Sequence, residues 1–142
     1  MIVYIDTSAF LRGLLSDSDD HDACRRLVHG EPNIELVSSE VLRLEARRVG
    51  IRLANESLHG VDPRPSIEAM LTRVALVRLS ERTMGIAERI PETLKSLDAL
   101  HLATAFSIQS DVSAVVTYDQ TMARVASVHG LRVCTASELL AG

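Results

Sequence analysis

The sequence predicts an α/β protein in which helices cover both faces of a mostly parallel central sheet, a three-layer α/β/α arrangement. Short apolar runs of β type alternate along the chain with helical segments, which is the usual pattern of parallel-sheet proteins. Hydrophobic residues make up 46% of the chain and aromatic residues only 3%, so Leu, Val, Ile and Ala must build the core. The length of 142 residues suits one domain. We therefore expect a single domain over residues 1–142.

The first half of the chain is predicted to contain two strands and three helices. Apolar runs mark the strands, and Gly30, Pro32 and Asn33 mark the turn before the second of them. Ser38 and Ser39 are N-cap candidates for the third helix. The predicted elements are a strand at 2–5, a helix from Thr7 or Ser8, a helix from about Asp20 or Asp22 to His29, the strand E-L-V at 35–37, and a helix over about 40–53.

The second half repeats this alternation after a predicted loop, N-E-S-L-H-G-V-D-P-R-P-S, at 55–66. Ser80 and Ser96 are expected to cap helices, while Pro91 and Gly130 are expected to end them. The predicted elements are a helix from Ser66 to about Arg73, the strand V-A-L-V-R-L at 74–79, helices after Ser80 and from Ser96 to about Gln109, the strand A-V-V-T at 114–117, a helix from about Asp119 to Val128, the strand L-R-V-C at 131–134, and a short helical tail.

Composition narrows the class of protein. The net charge of −4 argues against broad electrostatic adhesion to nucleic acid, although nearly all the basic residues are arginines, which bind phosphate well. Cys24 and Cys134 form no C-x-x-C pair and are expected to be small buried residues. No apolar run approaches the ~20 residues that cross a bilayer, and no secretory signal is evident. We expect a cytoplasmic protein without a membrane partner.

Two aspartates follow predicted strands at the point where a helix begins. Asp6 comes directly after I-V-Y-I, and Asp119 follows A-V-V-T-Y. In parallel sheets, binding and catalytic sites lie beyond the carboxyl ends of the strands, at a topological switch point. The structural alternative for each aspartate is an N-cap, and the sequence leaves the two readings about equally weighted.

Two further acids stand out by their surroundings. Asp98 lies in the first turn of the apolar helix S-L-D-A-L-H-L-A-T-A, where the helix dipole stabilises a carboxylate. At about 100° per residue, Glu45 lies between Val41 and Val49 on the apolar side of its helix. A glutamate in such a position is costly unless pairing, protonation or a cation compensates it.

These residues lie in stretches that resemble the PIN-domain ribonucleases, and specifically the VapC toxins of VapBC toxin–antitoxin pairs. The resemblance covers the whole chain and rests on I-D-T-S-A, L-V-S-S-E-V-L-R-L-E-A-R-R, L-D-A-L-H-L-A-T-A and V-T-Y-D-Q-T-M, in this order. It implies that the acidic catalytic and metal site comprises Asp6, Glu45, Asp98 and Asp119. Ser8 and Thr117 match hydroxyl residues adjacent to that site.

The resemblance also implies a cofactor, a reaction and partners. Carboxylates bind Mg²⁺, with Mn²⁺ able to substitute, and one or two such ions can activate water for phosphodiester hydrolysis. We hypothesise that Asp6, Glu45 and Asp98 hold the principal ion, and that Asp119 holds a second ion or orients water. The implied substrate is structured RNA of the tRNA or rRNA class, with 5′-phosphate and 3′-hydroxyl products. The implied partners are a cognate VapB-like antitoxin and a second copy of the chain, giving a homodimer and a heterotetramer or larger complex.

Several readings of other residues stay open at this stage. Arg12 and, on the long helix, Arg43, Arg47 and Arg48 could contact RNA phosphates or simply be solvated. S-D-S-D-D-H-D at 16–22 lacks the EF-hand glycine and distal glutamate, which favours a solvated loop over a calcium site. His101 could bond to Asp98, but a satisfied core histidine is favoured.

Two other functions compete with the ribonuclease. A phosphotransferase using Asp6 as nucleophile would want a second aspartate two residues later, where this chain has Ser8. A catalytically inactive PIN-like module that only binds RNA or protein would use the four acids as caps. The presence of all four acids, Glu45 above all, favours catalysis.

Overall fold

The protein folds into alternating strands and helices, described by a computed structural model over residues 1–15, 17–56 and 60–142. Within these ranges the strands are β1 (Ile2–Ile5), β2 (Glu35–Ser39), β3 (Val74–Val77), β4 (Val112–Val116) and β5 (Val133–Cys134). The helices described are α1 (Thr7–Arg12), α2 (His21–Gly30), α3 (Val41–Glu56), α4 (Arg64–Leu71), α5 (Glu81–Arg89), α6 (Ser96–Ser107), α7 (Gln120–Val128) and α8 (Ala136–Ala141).

The five described strands form one parallel sheet in the order β3-β2-β1-β4-β5. The chain builds outward from β1 through β2 to β3, then returns to pair β4 against the other side of β1. The strand order therefore reverses between β1 and β4. A crevice opens at such a point beyond the carboxyl ends of the two strands, because the helices that follow them leave toward opposite faces.

Helices cover both faces of the sheet, which confirms the predicted three-layer fold. Side chains alternate along β1, so that Val3 and Ile5 join one apolar cluster and Tyr4 joins the other. The first cluster is completed by buried residues of α1, α2, α3, α4 and α8. The second is completed by α6 and α7, and α5 packs against α6. β1, with both faces covered, is the central strand of the core.

The predicted loop over 55–66 is wrong at both ends. The preceding helix continues through Glu56, and α4 already begins at Arg64. Pro65 suggested a loop, but it lies in the first turn of α4, where a missing N–H removes no helical hydrogen bond. Residues 57–59 of this predicted loop, and Ser16 of the earlier S-D-S-D-D loop, lie outside the described residues.

The predicted helix caps are partly confirmed. Ser80 accepts a hydrogen bond from the Thr83 N–H and caps α5. Ser96 is not a cap, because it is the first residue of α6 and Lys95 occupies the N-cap position without a side-chain bond. Ser38 is not a cap either: it belongs to β2, and its hydroxyl donates to the Ile5 carbonyl at 2.6 Å.

The remaining differences concern the ends of elements. The strand predicted at 74–79 stops at Val77, and the one predicted at 131–134 has only two strand residues, which pair with Val115 and Val116 of β4. The other bounds that differ are Glu35–Ser39, Val41–Glu56, Arg64–Leu71, Ser96–Ser107 and Val112–Val116. Terminal residues satisfy few ladder or helical hydrogen bonds, so pattern alone fixes them poorly.

Two other expectations can be compared with the structure. Cys24 and Cys134 are both free and buried, as predicted. In the described ranges, no helix combines the length and the apolar character needed to cross a bilayer.

Candidate active site

Asp6 and Asp119 lie at the carboxyl ends of β1 and β4, the two strands that flank the reversal of strand order. Each also caps the helix that follows it. Asp6 accepts a hydrogen bond from the Ala9 N–H at 3.0 Å, and Asp119 accepts one from the Met122 N–H at 2.8 Å. The N-cap reading and the position expected of a site residue are therefore both correct for these aspartates.

The Asp6 carboxylate is held on both oxygens by hydroxyl groups. Ser8 donates to Oδ1 at 2.7 Å, and Thr117 donates to Oδ2 at 2.5 Å. These hydroxyls also accept from the next loop, Ser8 from the Tyr118 N–H and Thr117 from the Asp119 N–H. Ser8 and Thr117, expected to be adjacent to the site, thus lock the loop after β4 onto Asp6.

Asp6 is only 3% exposed, and this burial raises the pKa of its carboxyl group. Hydrogen bonds from Ser8, Thr117 and the Ala9 N–H favour the charged form and partly offset the rise. Asp6 is an acid whose negative charge the fold stabilises incompletely.

Glu45 projects from α3 toward α1 and α6. Its Oε1 accepts a hydrogen bond from the Thr7 hydroxyl at 2.7 Å and lies 2.9 Å from Nε2 of His101. Burial alone would raise the pKa of Glu45, but the hydrogen bonds from His101 and Thr7 outweigh it and lower the pKa overall. The compensation expected for this acid is therefore a pair of side-chain donors. Thr7 was not predicted to take part, although it directly follows Asp6.

His101 is a buried histidine, as favoured, with only 1% of its surface exposed. Its Nδ1 lies 2.7 Å from the Tyr4 hydroxyl, and its Nε2 also approaches the Thr7 hydroxyl at 3.2 Å. Among the described residues no hydrogen bond joins it to Asp98, the partner one turn away. The histidine reaches across to Glu45 instead.

Asp98 lies in the first turn of α6, as predicted. Burial raises the pKa of its carboxyl group, and the nearby charges of Asp119, Asp6 and Glu45 raise it further. Each of the other three acids thus lies within electrostatic reach of Asp98. Four carboxylates from four different segments converge at the carboxyl edge of the sheet.

The donor set suits a hard divalent cation, because carboxylate and hydroxyl oxygens are the ligands that Mg²⁺ prefers. Within residues 1–15, 17–56 and 60–142, no group of three His, Cys, Asp or Glu side chains is placed to hold a metal ion directly. Mg²⁺ usually keeps several waters and needs only one or two protein carboxylates, so direct contact from all four acids is not required. The residues fit a hydrated ion.

The four predicted arginines do not form one group. Arg12 donates to the Asp19 carbonyl at 2.8 Å, and its guanidinium lies 4.1 Å from the centre of the Tyr118 ring. Arg47 forms an exposed two-pronged ion pair with Glu68 on α4. Arg43 lines a surface depression together with Arg47 and Glu40, on the side of α3 away from Glu45. Arg48 is exposed on the same helix.

Asp20 of the S-D-S-D-D-H-D segment forms a hydrogen-bonded cluster with Tyr118 and Ser137. The Tyr118 hydroxyl donates to Oδ2 of Asp20 at 2.5 Å, and the Ser137 N–H donates to the same oxygen at 3.1 Å. The Ser137 hydroxyl bonds to Oδ1. This cluster, called the Asp20 cluster below, fastens α8 to the segment before α2.

Comparison with known protein families matches residues 3–128 to the model of the PIN domain. Curated relatives include Ribonuclease VapC47 of Mycobacterium tuberculosis (strain CDC 1551 / Oshkosh), 33% identical over 85% of this chain and 87% of that protein. Ribonuclease VapC46 of M. tuberculosis (strain ATCC 25618 / H37Rv) is 30% identical over 95% of this chain and 98% of that protein.

Solved structures with a similar fold include toxin–antitoxin proteins. VapBC2 from Rickettsia felis, bound to a DNA fragment from its promoter, aligns with a TM-score of 0.66 and 14% identity over 95% of this chain and 98% of that chain. VapC20 of M. tuberculosis, described as a Sarcin-Ricin loop cleaving toxin, gives a TM-score of 0.62 at 15% identity, covering 91% of this chain and 95% of that one.

Proposed function

The chain belongs to the PIN-domain family and to its VapC ribonucleases, and from this premise we propose that it is a Mg²⁺- or Mn²⁺-dependent endoribonuclease toxin. The observation that carries the proposal is the convergence of Asp6, Glu45, Asp98 and Asp119 beside the reversal of strand order. An inactive binding module is not favoured, because caps do not require acids to be crowded until they repel one another.

The proposed roles of the acids follow from their surroundings. Asp6, Glu45 and Asp98 would hold the principal ion, in part through its bound waters, and Asp119 would hold a second ion or the attacking water. Oε1 of Glu45 is already bonded to Thr7 and His101, which leaves Oε2 for the cation. When bound, the ion polarises the phosphoryl oxygen, activates water and stabilises the leaving oxygen. Ser8 and Thr117 keep Asp6 in position throughout.

The proposed reaction is hydrolysis of an RNA phosphodiester. The oxygen of water bonds to phosphorus while the bond from phosphorus to the 3′ oxygen breaks, and the 3′ oxygen takes up a proton. The products then carry a 5′-phosphate and a 3′-hydroxyl. The acids hold no covalent intermediate in this scheme, which agrees with a serine at position 8, where a phosphotransferase would want its second aspartate.

Cleavage of RNA by the purified protein with Mg²⁺, with Mn²⁺ and with EDTA tests the proposal. We expect discrete fragments with 5′-phosphate ends only when metal is present, and no fragments from Asp98→Asn. Asp111→Asn changes an exposed aspartate outside the site and is the matched control. Cleavage that persists in EDTA would contradict the metal requirement, and an inert but folded wild type on every RNA would refute the catalytic role.

The proposed substrate is folded RNA, of the tRNA or rRNA class, recognised by its shape. The chain has two Tyr, two Phe and no Trp, and Tyr4 and Phe10 are fully buried. Tyr118 is engaged in the Asp20 cluster, so few rings are available to stack on unpaired bases. Equal cleavage of an unstructured oligonucleotide and of a folded RNA of the same length would count against this substrate class.

The proposed protein partners are a VapB-like antitoxin and a second copy of the chain. Two solved structures with this fold, VapBC2 and VapBC-1, are VapBC proteins by name. A cluster of four acids would attract a basic antitoxin side chain. We expect a basic antitoxin segment to suppress cleavage and light scattering to give twice the 15.5 kDa chain mass. No suppression, or a monomer mass, would contradict the respective partner.

A further inference from the structure

We infer that Thr7 and His101 are positioning residues for Glu45, holding its Oε1 so that Oε2 is presented to the cation, and that Tyr4 sets the orientation of His101. This inference deepens the proposed function and rests on it. Thr7 and His101 contact Glu45, and Tyr4 contacts His101.

The first observation is that both donors converge on one oxygen. Thr7 donates to Oε1 at 2.7 Å from the first residue of α1, and His101 approaches the same atom at 2.9 Å from α6. Among the described residues Oε2 has no hydrogen-bond partner, yet it is not a buried unsatisfied atom. One oxygen is therefore fixed from two directions while the other stays accessible.

The second observation is where the hydrogens of the His101 ring and the Tyr4 hydroxyl must lie. Oε1 of Glu45 accepts the Thr7 hydroxyl and lies 2.9 Å from Nε2 of His101, so Nε2 must carry the hydrogen of this second contact. In a neutral ring Nδ1 then accepts. Its partner, the Tyr4 hydroxyl, already accepts the Ser39 N–H at 3.1 Å, so its one proton is free to point at Nδ1, 2.7 Å away. Tyr4 thereby selects the tautomer that donates to Glu45.

The third observation is the rigidity of the chain of bonds. Tyr4 and His101 are 0% and 1% exposed, and their rings meet edge to face with centroids 6.0 Å apart. A buried polar pair is retained at a cost unless all its bonds are made. Here every polar atom of the pair is bonded, and the line of bonds ends on Glu45. Outer partners of this kind orient a metal-binding side chain and tune its affinity.

Two substitutions of His101 separate positioning from mere core stability. His101→Asn places an amide near the position of Nδ1, so it keeps a hydrogen-bond partner for Tyr4 but loses the hydrogen bond to Glu45. His101→Gln places an amide near the position of Nε2 and keeps the hydrogen bond to Glu45. Thr104→Val removes another buried polar group on α6, three residues on, whose hydroxyl donates to the Leu100 carbonyl at 2.8 Å. It is the matched control for damage to this helix.

The measurement is Mn²⁺ affinity by calorimetry in the absence of RNA, with kcat and KM for RNA cleavage measured separately. We expect His101→Asn to weaken Mn²⁺ binding by about 10-fold or more, and to lower kcat while KM for RNA stays unchanged. His101→Gln should recover most of the Mn²⁺ affinity. Thr104→Val should bind Mn²⁺ and cleave RNA as the wild type does.

Thr7 supplies a second pair of variants if His101→Asn does not fold. Thr7→Val removes the other donor to Oε1, and Thr7→Ser retains it. We expect weaker Mn²⁺ binding in the first and wild-type binding in the second. Wild-type Mn²⁺ affinity in every folded variant that lacks a donor would overturn the inference while the proposed function stands. A wild type that binds no Mn²⁺ would overturn both, whereas one that binds Mn²⁺ without cleaving RNA would refute only the proposed function.

Discussion

Asp6 and Asp20 occupy the same local position, each directly before a helix that follows a loop or strand end, and both accept several hydrogen bonds. Both oxygens of Asp6 accept hydrogen bonds, from Ser8, Thr117 and the Ala9 N–H, and both oxygens of Asp20 accept them from Tyr118 and Ser137. The difference lies beyond these partners. Asp6 lies close enough to Asp98 for its charge to act on that acid, whereas Asp20 joins α8 to the rest of the fold.

Hydrogen-bond partners alone do not separate a functional acid from a structural one. A structural acid needs its donors and nothing more. A site acid is recognised by like charges that the fold brings near it, as Asp98 is by its three neighbours. Three substitutions test this distinction, in order of decreasing effect.

Asp6→Asn should have the largest effect, and it should fall on activity. The amide retains an acceptor oxygen for one hydroxyl but carries no charge for a cation. Cation-dependent stabilisation of the transition state is worth several kcal/mol, so we expect kcat to fall by at least about 100-fold. Cleavage of folded RNA at saturating Mg²⁺, together with circular dichroism to verify folding, measures this. Near wild-type cleavage by the variant would erase the distinction between Asp6 and Asp20.

Asp20→Asn should have an intermediate effect that falls on stability. Oδ1 and Oδ2 both accept hydroxyl protons, and an amide nitrogen at either place leaves a donor without an acceptor. We expect a loss of about 1–3 kcal/mol in the free energy of unfolding, measured by urea denaturation. Cleavage per folded molecule should remain unchanged. A loss of activity without a loss of stability would show that the Asp20 cluster serves the site.

Asp98→Asn should have the smallest effect on stability, and its sign should depend on pH. Because the pKa of folded Asp98 is raised above its ordinary value of 3.8, the ionised group destabilises the folded state above the folded pKa, and this cost disappears below 3.8. In EDTA we expect the variant to melt a few degrees above wild type at pH 7 and no higher than wild type near pH 4.

Calorimetry across this pH range with Mg²⁺ provides the control for Asp98→Asn. The cation should stabilise only the wild type and remove or reverse the difference at pH 7, by mass action on the folded state. A variant that melts below wild type in EDTA at every pH would show that Asp98 is not crowded by its neighbours.

Much of the site could be predicted because its acids obey local rules. Asp6 and Asp119 follow apolar strands, and the helical period alone places Glu45 on the buried side of α3. These positions depend on a few neighbouring residues. The N-cap alternative could not be rejected from sequence, since the same side chains do cap α1 and α7.

The partners of Glu45 could not be predicted, because they come from distant parts of the chain. His101 lies 56 positions from Glu45 and 97 from Tyr4, and no pattern in one segment encodes a bond to another. The errors in the predicted loop and in one predicted helix cap came from local sequence signals. Pro65 imitated a loop signal inside the first turn of α4, and Ser96 looked like a cap one residue too late.

The bond between Thr117 and Asp6 also has a consequence for the order in which the protein matures. It joins residues 111 positions apart, the closure of a very long loop. Contacts of this separation form slowly, and during synthesis this one must wait until Thr117 has emerged. A nascent chain that ends just after Asp98 contains Asp6 and Glu45 but still lacks β4, Thr117 and Asp119. We expect a toxin assembled in this way to stay harmless to the ribosome that is making it until Thr117 and Asp119 have emerged and folded onto β1.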